Sequence, residues 1–273
     1  MKFRAPIMIA LALVCFGCGG LLMDNYIAPG PNPDNKYEFD YSPKEGMKLK
    51  DPLSFLLISA KPEIEFPAIR VDSSGQSGVP SEESNQNMRN VINDFSAAMV
   101  DDLKEILTDK RFRLIQLLEN QQMATFGQRE QSNFSLFPRV SVQIKDKIIS
   151  AIKPGHNLGQ ALLKQIVPGE VTGRLSVKAR ISFEVQEPIT WQLIWVKSID
   201  TDVFEEEYSY KWNLASSGYV IGEDTRPQAL ASILMKSYDS ILDNLSTYID
   251  VDEFTMLSKQ ALEIRKKATG IIK

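Results

Sequence analysis

Hydrophobic residues fall at every second position from Leu175 through Val177, Ala179, Ile181 and Phe183 to Val185, with Lys178, Arg180 and Glu184 between them. A period of two predicts a strand with one buried and one wet face. Glu187 and Pro188 end it. Segments 189–196 (ITWQLIWV) and 203–212 (VFEEEYSYKW) predict two more strands after short connections. Three sequential strands of this kind predict an antiparallel meander. Upstream, 53–60 (LSFLLISA) is a continuous apolar run of strand length, as expected in the middle of a sheet. Val140, Val142 and Ile144 alternate within 134–144, where Pro138 argues for an edge or a bend. Phe112, Leu114 and Gln116 predict a further strand, and Tyr37, Phe39 and Tyr41 alternate with charged residues as a half-buried strand would.

Elsewhere the period changes to that of a helix. Met88, Val91, Ile92, Phe95, Met99, Leu103 and Ile106 recur at spacings of three and four, predicting an amphipathic helix to about Thr108 after a polar loop over 72–87. Thr225 and Gln228 flank Arg226 and Pro227 as a capping box with proline in the first turn. The apolar stripe Leu230, Ile233, Leu234, Tyr238, Ile241 and Leu245 carries that helix to about Tyr248. A last helix opens at Asp250 or Asp252 and ends on Arg265, Lys266 and Lys267, cations suited to a carboxyl-terminal dipole. The fold class expected is α+β: a mainly antiparallel sheet, packed amphipathic helices and a helical pair at the carboxyl end.

The amino terminus follows other rules. Lys2 and Arg4 precede an apolar run over 5–16, too short to span a bilayer comfortably but suited to the core of a secretion signal. Gly17, Cys18, Gly19 and Gly20 follow directly. A small residue before cysteine at the end of such a run resembles the lipobox of bacterial lipoproteins, although Cys15 and Phe16 stand where leucine and a small residue are usual. Cys15, preceded by bulky Val14, is the alternative acceptor. No cysteine follows Cys18, so it cannot form an internal disulfide in the mature chain. Acylation explains it best. Several acyl chains, each methylene contributing about 0.8 kcal/mol, would hold the protein to a membrane. Gly19 rather than Asp after the acceptor implies, on this resemblance, sorting to the outer membrane. The expected organisation is a leader over 1–17, a lipidated tether over 18–35 containing Pro29, Gly30, Pro31 and Pro33, and one domain over 36–273.

Charge and composition narrow the chemistry. The chain carries a net charge of −4, which becomes −6 when the two positive charges Lys2 and Arg4 leave with the leader. An acidic chain without a basic block is unsuited to nucleic acid. The one histidine, His156, sits in a turn-like setting without companion ligands, so no metal site, catalytic triad or cofactor is expected. Nor does a phosphate-cradling glycine loop occur. In a strand, Glu205 and Glu207 share a face opposite Glu206, which suits an acid/base pair, a calcium site or, more simply, a solvated surface. Trp191 and Trp195 share a face by period; they suit sugar stacking or packing beneath the helix of 226–248.

Over about residues 36–267 the order of these elements resembles the neuraminyllactose-binding hemagglutinin family, outer-membrane and flagellar-sheath lipoprotein adhesins. Tyr41, Ser42 and Pro43, followed by 53–60 and by Lys61 and Pro62, resemble the family's opening strand pair. The helix over 88–107, the strand ending at Glu187 and Pro188, the capped helix and its basic successor follow in the same order. The family's proposed sialic-acid-binding segment is a short Lys-Arg-Thr stretch. Here the corresponding residues are Gln143, Ile144, Lys145, Asp146, Lys147 and Ile148, without that motif; Lys145 and Lys147 keep some positive charge, and by alternation they suit a solvated strand face equally well. The resemblance implies a non-enzymatic outer-membrane lipoprotein of adhesin type, anchored through Cys18 and meeting host sialoglycans or envelope proteins. No binding residue of the family transfers cleanly; the candidate ligand residues read from this sequence are Lys145 and Lys147, for their charge, and Trp191 and Trp195, for their aromatic surface. The alternative is a structural or assembly lipoprotein of the envelope or flagellar sheath with no glycan ligand.

Overall fold

A computed structural model describes residues 37–44, 46–59, 62–66, 82–152, 169–215, 218–268 and 270. Cys15, Cys18, the tether and His156 lie outside the described residues. The strands are β1 (Ser54–Ile58), β2 (Glu63–Glu65), β3 (Arg113–Leu118), β4 (Phe134–Ile152), β5 (Gly169–Gln186), β6 (Leu193–Asp200), β7 (Phe204–Ala215) and β8 (Gly218–Asp224). Among the described residues the helices are α1 (Glu82–Asp109), α2 (Phe126–Gln131), α3 (Arg226–Tyr248) and α4 (Val251–Ala268), and a 3-10 turn lies at Gln121–Met123. The class is α+β, with α3 and α4 as the carboxyl-terminal helical pair.

The eight strands form one sheet in the order β3-β1-β4-β5-β7-β8, with β2 on β4 and β6 on β5. The sheet is mainly antiparallel, as expected, but not purely so. β1 runs parallel to β3 and to β4, and β2 runs parallel to β4, so the sheet is mixed. The reason is connectivity: α1 stands between β1 and β3 and returns the chain for parallel pairing. Pro138 does not end β4, and it stands at a local edge, paired with β5 on one side and with no described strand on the other. It lies between the stretch paired with β1 and the stretch paired with β2, facing Phe183 of β5.

The meander expected of β5, β6 and β7 does not form. β5 is 18 residues long, and β6 and β7 lie end to end along the same side of it. Thr201 marks the break, exchanging hydrogen bonds with the Ala179 backbone through its amide and its hydroxyl, each at 2.9 Å. Segment 37–41 keeps its alternation but is not a strand. Phe39 packs on Phe95 of α1 and Tyr238 of α3, and the Tyr41 hydroxyl donates to Asp243 at 3.0 Å. It is a strap across two helices, whose groove imposes the same two-residue period.

The main core lies between the helices and one face of the sheet. Phe55, Phe134, Val142, Val177, Ile181 and Val185 from the strands meet Ile92, Phe95 and Leu103 of α1, Leu230, Leu234 and Leu242 of α3, and Phe254 of α4. Phe112, Phe134 and Phe254 make edge contacts at centroid distances of 5.4 to 6.0 Å. Each such side chain contributes about 1.5–3 kcal/mol by leaving water. The opposite face is wet except for a small cluster of Leu56, Ile58, Leu118, Ala124 and Phe137.

α3 starts where the sequence predicts, but not through a capping box. The Thr225 hydroxyl is engaged with Ser209, accepting from its amide at 2.9 Å and donating to its carbonyl at 3.0 Å. Asp224 takes the first-turn role, accepting from the Arg226 amide at 3.0 Å. A complete capping box occurs instead on the short α2, between Thr125 and Gln128.

Candidate functional site

Alternation along β4 and β5 builds the uncovered face of the sheet. Arg139, Ser141, Gln143, Lys145 and Lys147 of β4 stand opposite Ser182, Arg180, Lys178, Ser176 and Arg174 of β5. Glu205 and Glu207 of β7 extend the row beyond Ser176 and Arg174. Most of these charges are paired: Arg139 with Glu184 at 3.0 Å, Arg180 with Asp200 at 2.8 Å, and Arg174 with Glu207 at 2.8 Å and Glu205 at 3.5 Å. Ser176 Oγ donates to Glu205 at 2.8 Å. Lys145 and Lys147 are exposed, and among the described residues neither has a hydrogen-bond or ion-pair partner. Two residues apart on one strand, their stems rise about 7 Å from each other. Two free ammonium groups beside paired carboxylates can take an anionic group on the lysines and hydroxyls on Glu205 and Glu207.

Asp146, between the two lysines, points the other way and fixes them. Its carboxylate accepts from the Tyr208 hydroxyl of β7 in a short hydrogen bond. The Arg226 guanidinium lies over the Tyr210 ring at 4.8 Å and the Tyr208 ring at 5.9 Å, and pairs with Asp224 at 2.8 Å. Arg226 is only 1% exposed. Burial pushes the Asp146 carboxyl above its usual range, with Tyr208 and Arg226 pulling the other way. Burial and the Asp146 carboxylate hold the Tyr208 phenol well above its ordinary value.

Gly173 makes room for this arrangement, because a Cβ there would stand 2.2 Å from the Tyr208 hydroxyl oxygen. Tyr208 is 3% exposed and has little space to retreat. Gly173→Ala is expected to cost about 1–3 kcal/mol, as overpacking does, read as a lowered urea midpoint. The sequence signals for this cluster are an aspartate at an inward strand position, a glycine within a strand and an arginine opening an apolar helix.

Trp191 and Trp195 do not share a face. The stretch after Glu187 is a turn rather than a strand, and β6 begins only at Leu193. Trp191 adopts φ 58° in that turn and packs edge-on against Phe137 on the uncovered side. Trp195 faces the helices, stacks edge-on against Phe254, and donates its indole N–H to Glu253 at 2.7 Å. Both are half-buried. Nor do they meet the lysines: Trp195 pairs with Val185 and Lys145 with Ser176. Nine residues of β5 separate those positions, about 30 Å at about 3.3 Å per residue.

The turn is held by Glu187, which is fully buried. One carboxylate oxygen accepts from the Ile189 amide at 2.9 Å, the Thr190 amide at 2.6 Å and the Thr190 hydroxyl at 2.9 Å. The other accepts from Arg265 of α4 at 2.8 Å. Among the described residues no group of three His, Cys, Asp or Glu side chains could hold a metal ion.

With this geometry in view, one solved structure shares the fold over nearly its whole length. A putative neuraminyllactose-binding hemagglutinin homolog from Helicobacter pylori superposes with a TM-score of 0.51 at 16% identity, over 82% of this chain and 99% of that one. The likeness is one of fold. A Xanthomonas campestris protein of the DUF330 family covers 82% of this chain and 94% of its own at 8% identity, with a TM-score of 0.28. A lipoprotein from Neisseria meningitidis covers 72% and 99% at 8% identity, with a TM-score of 0.24. No protein-family model and no curated protein matches the sequence. Among the described residues no helix is long and apolar enough to cross a membrane.

Proposed function

We propose that the protein is an outer-membrane lipoprotein of adhesin type, anchored through lipid on Cys18, that binds sialylated glycans by its uncovered sheet face. The observation that carries this reading is the pair of exposed lysines, Lys145 and Lys147, without a partner among the described residues, on a domain sharing the hemagglutinin homolog's fold. A sialic acid offers a carboxylate for the two ammonium groups and a polyol chain for Glu205 and Glu207. The protein acts by binding and not by catalysis: both carboxylates lie on a solvated face, tied to Arg174. Exposed ion pairs each contribute about 0–1 kcal/mol, so single-site affinity is weak and useful attachment comes from many lipid-anchored copies engaging together.

Two experiments test this. Radiolabelled palmitate should enter the wild-type protein and not Cys18→Ala; labelling of that variant would remove the anchor. The Lys145→Ala/Lys147→Ala protein should fold normally and bind sialyllactose at least about tenfold more weakly, the change worth about 1.4 kcal/mol. Unchanged binding by the double variant would move the ligand elsewhere on the molecule.

A further inference from the structure

The edge of β7 carries a second surface of a different kind. Ser209 sends both its N–H and its C=O away from β5, to the Thr225 hydroxyl and amide. Backbone direction alternates along a strand, so Glu207 and Glu205 also send N–H and C=O outward. At these two residues no group among the described residues receives them. The β8 ladder reaches only from Ala215 to Tyr210, and Thr225 is the last residue alongside β7 before the chain turns into α3. The open stretch is 204–208, about 17 Å of strand.

Beside it lies a cleft of about 560 Å³ lined by Glu206, Glu207, Ala229, Ser232, Met235 and Lys236, among others. Thr225 and the α3 residues 228, 229, 232, 235 and 236 recur at three- and four-residue spacing, so they form one stripe beside the open edge. From 225 to 236 that stripe rises about 16 Å, the same length as the open strand. Its middle is small, Ala229 and Ser232, which leaves room for another backbone.

We infer that the β7 edge and the α3 stripe form a strand-addition site for an extended, cationic polypeptide segment of about five residues. The backbone of Glu205 and Glu207 would supply the ladder bonds, and the cleft would take alternate side chains. Charge selects the partner. Glu205, Glu206 and Glu207 outnumber the cations at the edge, Lys236, which pairs with Glu206 at 2.5 Å, and Arg174, which already bridges Glu205 and Glu207. Two-fold pairing with a second copy would set this glutamate run against itself, and like charges directly opposite destabilise a ladder. The site works through backbone amides, whereas the glycan reading rests on Lys145 and Lys147; the two share only the Glu205 and Glu207 side chains, so the N-methylated peptide and the lysine variants separate them.

The test uses the mature chain with Cys18→Ser and a capped seven-residue peptide alternating Lys and Val. Fluorescence anisotropy should show saturable binding, at least tenfold weaker for the same peptide with Glu in place of Lys. N-methylation of the peptide on alternate residues, in the phase that faces β7, should abolish binding. By NMR, exchange of the Glu205 and Glu207 amides should slow at least tenfold on peptide addition, while the Glu206 amide, which already faces β5, stays unchanged. Ser232→Arg, a half-exposed position, should keep its unfolding midpoint and lose binding at least tenfold. No saturable binding by folded protein, equal binding of the N-methylated peptide, or a dimer that forms through this edge and excludes the peptide would each overturn the assignment.

Discussion

Replacing Arg226 by methionine is expected to lower stability by about 3–5 kcal/mol, the cost of leaving one partner of a buried ion pair alone. Its guanidinium makes a bidentate pair with Asp224, through Nε at 3.0 Å and Nη2 at 2.8 Å, while lying over two tyrosine rings. Methionine fills similar space and supplies neither the charge nor the donors. The Asp224 side chain is 11% exposed and would remain charged beside an apolar helix start. Arg226→Lys should recover only part of the loss, because an ammonium cannot reproduce the planar fork. Asp224→Asn combined with Arg226→Met should be less damaging than Arg226→Met alone, since it removes the stranded charge. The urea midpoint reads all three. A loss under about 1 kcal/mol for Arg226→Met would mean that the cluster is not the clamp joining α3 to β7.

The second large effect is at Glu187. Glu187→Gln is expected to cost about 3–5 kcal/mol, because an amide cannot accept from both backbone amides and Arg265 without turning its own N–H groups on a donor. This substitution also carries a pH signature. Burial alone would raise the Glu187 carboxyl, but hydrogen bonds from Thr190, Arg265 and Ile189 outweigh it and hold the pKa below the ordinary value. A carboxyl depressed in the folded state contributes stability that is fully present above its unfolded pKa, about 4.3. That contribution is lost as pH falls through the lower folded value. Wild-type stability should therefore fall below about pH 4, and Glu187→Gln should flatten that limb. Asp102 and Asp146 act in the opposite sense: burial raises both carboxyls. Each takes up a proton more readily folded than unfolded, so acidification between their ordinary and raised values favours the fold. Urea midpoints at pH 7, 5, 4 and 3 separate the two contributions.

The sequence was most legible where one face of an element decides everything. β5 reads directly from Leu175 to Val185 because its inner residues meet the helices and its outer residues meet water. The stripes of α1 and α3 are plain for the same reason. Position along a neighbour was not legible. Nothing in 189–212 says whether two strands will lie side by side or end to end, since both arrangements bury the same residues; the length of β5 decides it. The turn held by Glu187 removed Trp191 from the strand period and so separated it from Trp195. Its determinant is a buried carboxylate reached from α4, far away in sequence. Thr225 reads as a helix cap and serves as a strand partner, because its hydroxyl meets Ser209 before it can fold back. Of the candidate site, Lys145 and Lys147 follow from alternation, and the same alternation sends Asp146 inward. Its partners Tyr208 and Arg226 come from tertiary packing alone.

The most direct measurement of the central claim is binding of the lipid-free mature chain, with Cys18→Ser, to sialyllactose and to lactose. It should be followed by saturation-transfer NMR on protein whose folding is verified by its unfolding midpoint. The account predicts saturable transfer to the sialic acid protons of sialyllactose, little or none to lactose, and loss of the signal after enzymatic desialylation. Equal transfer to both sugars, or none from folded protein, would contradict it and favour the alternative reading, a structural or assembly role with no glycan ligand.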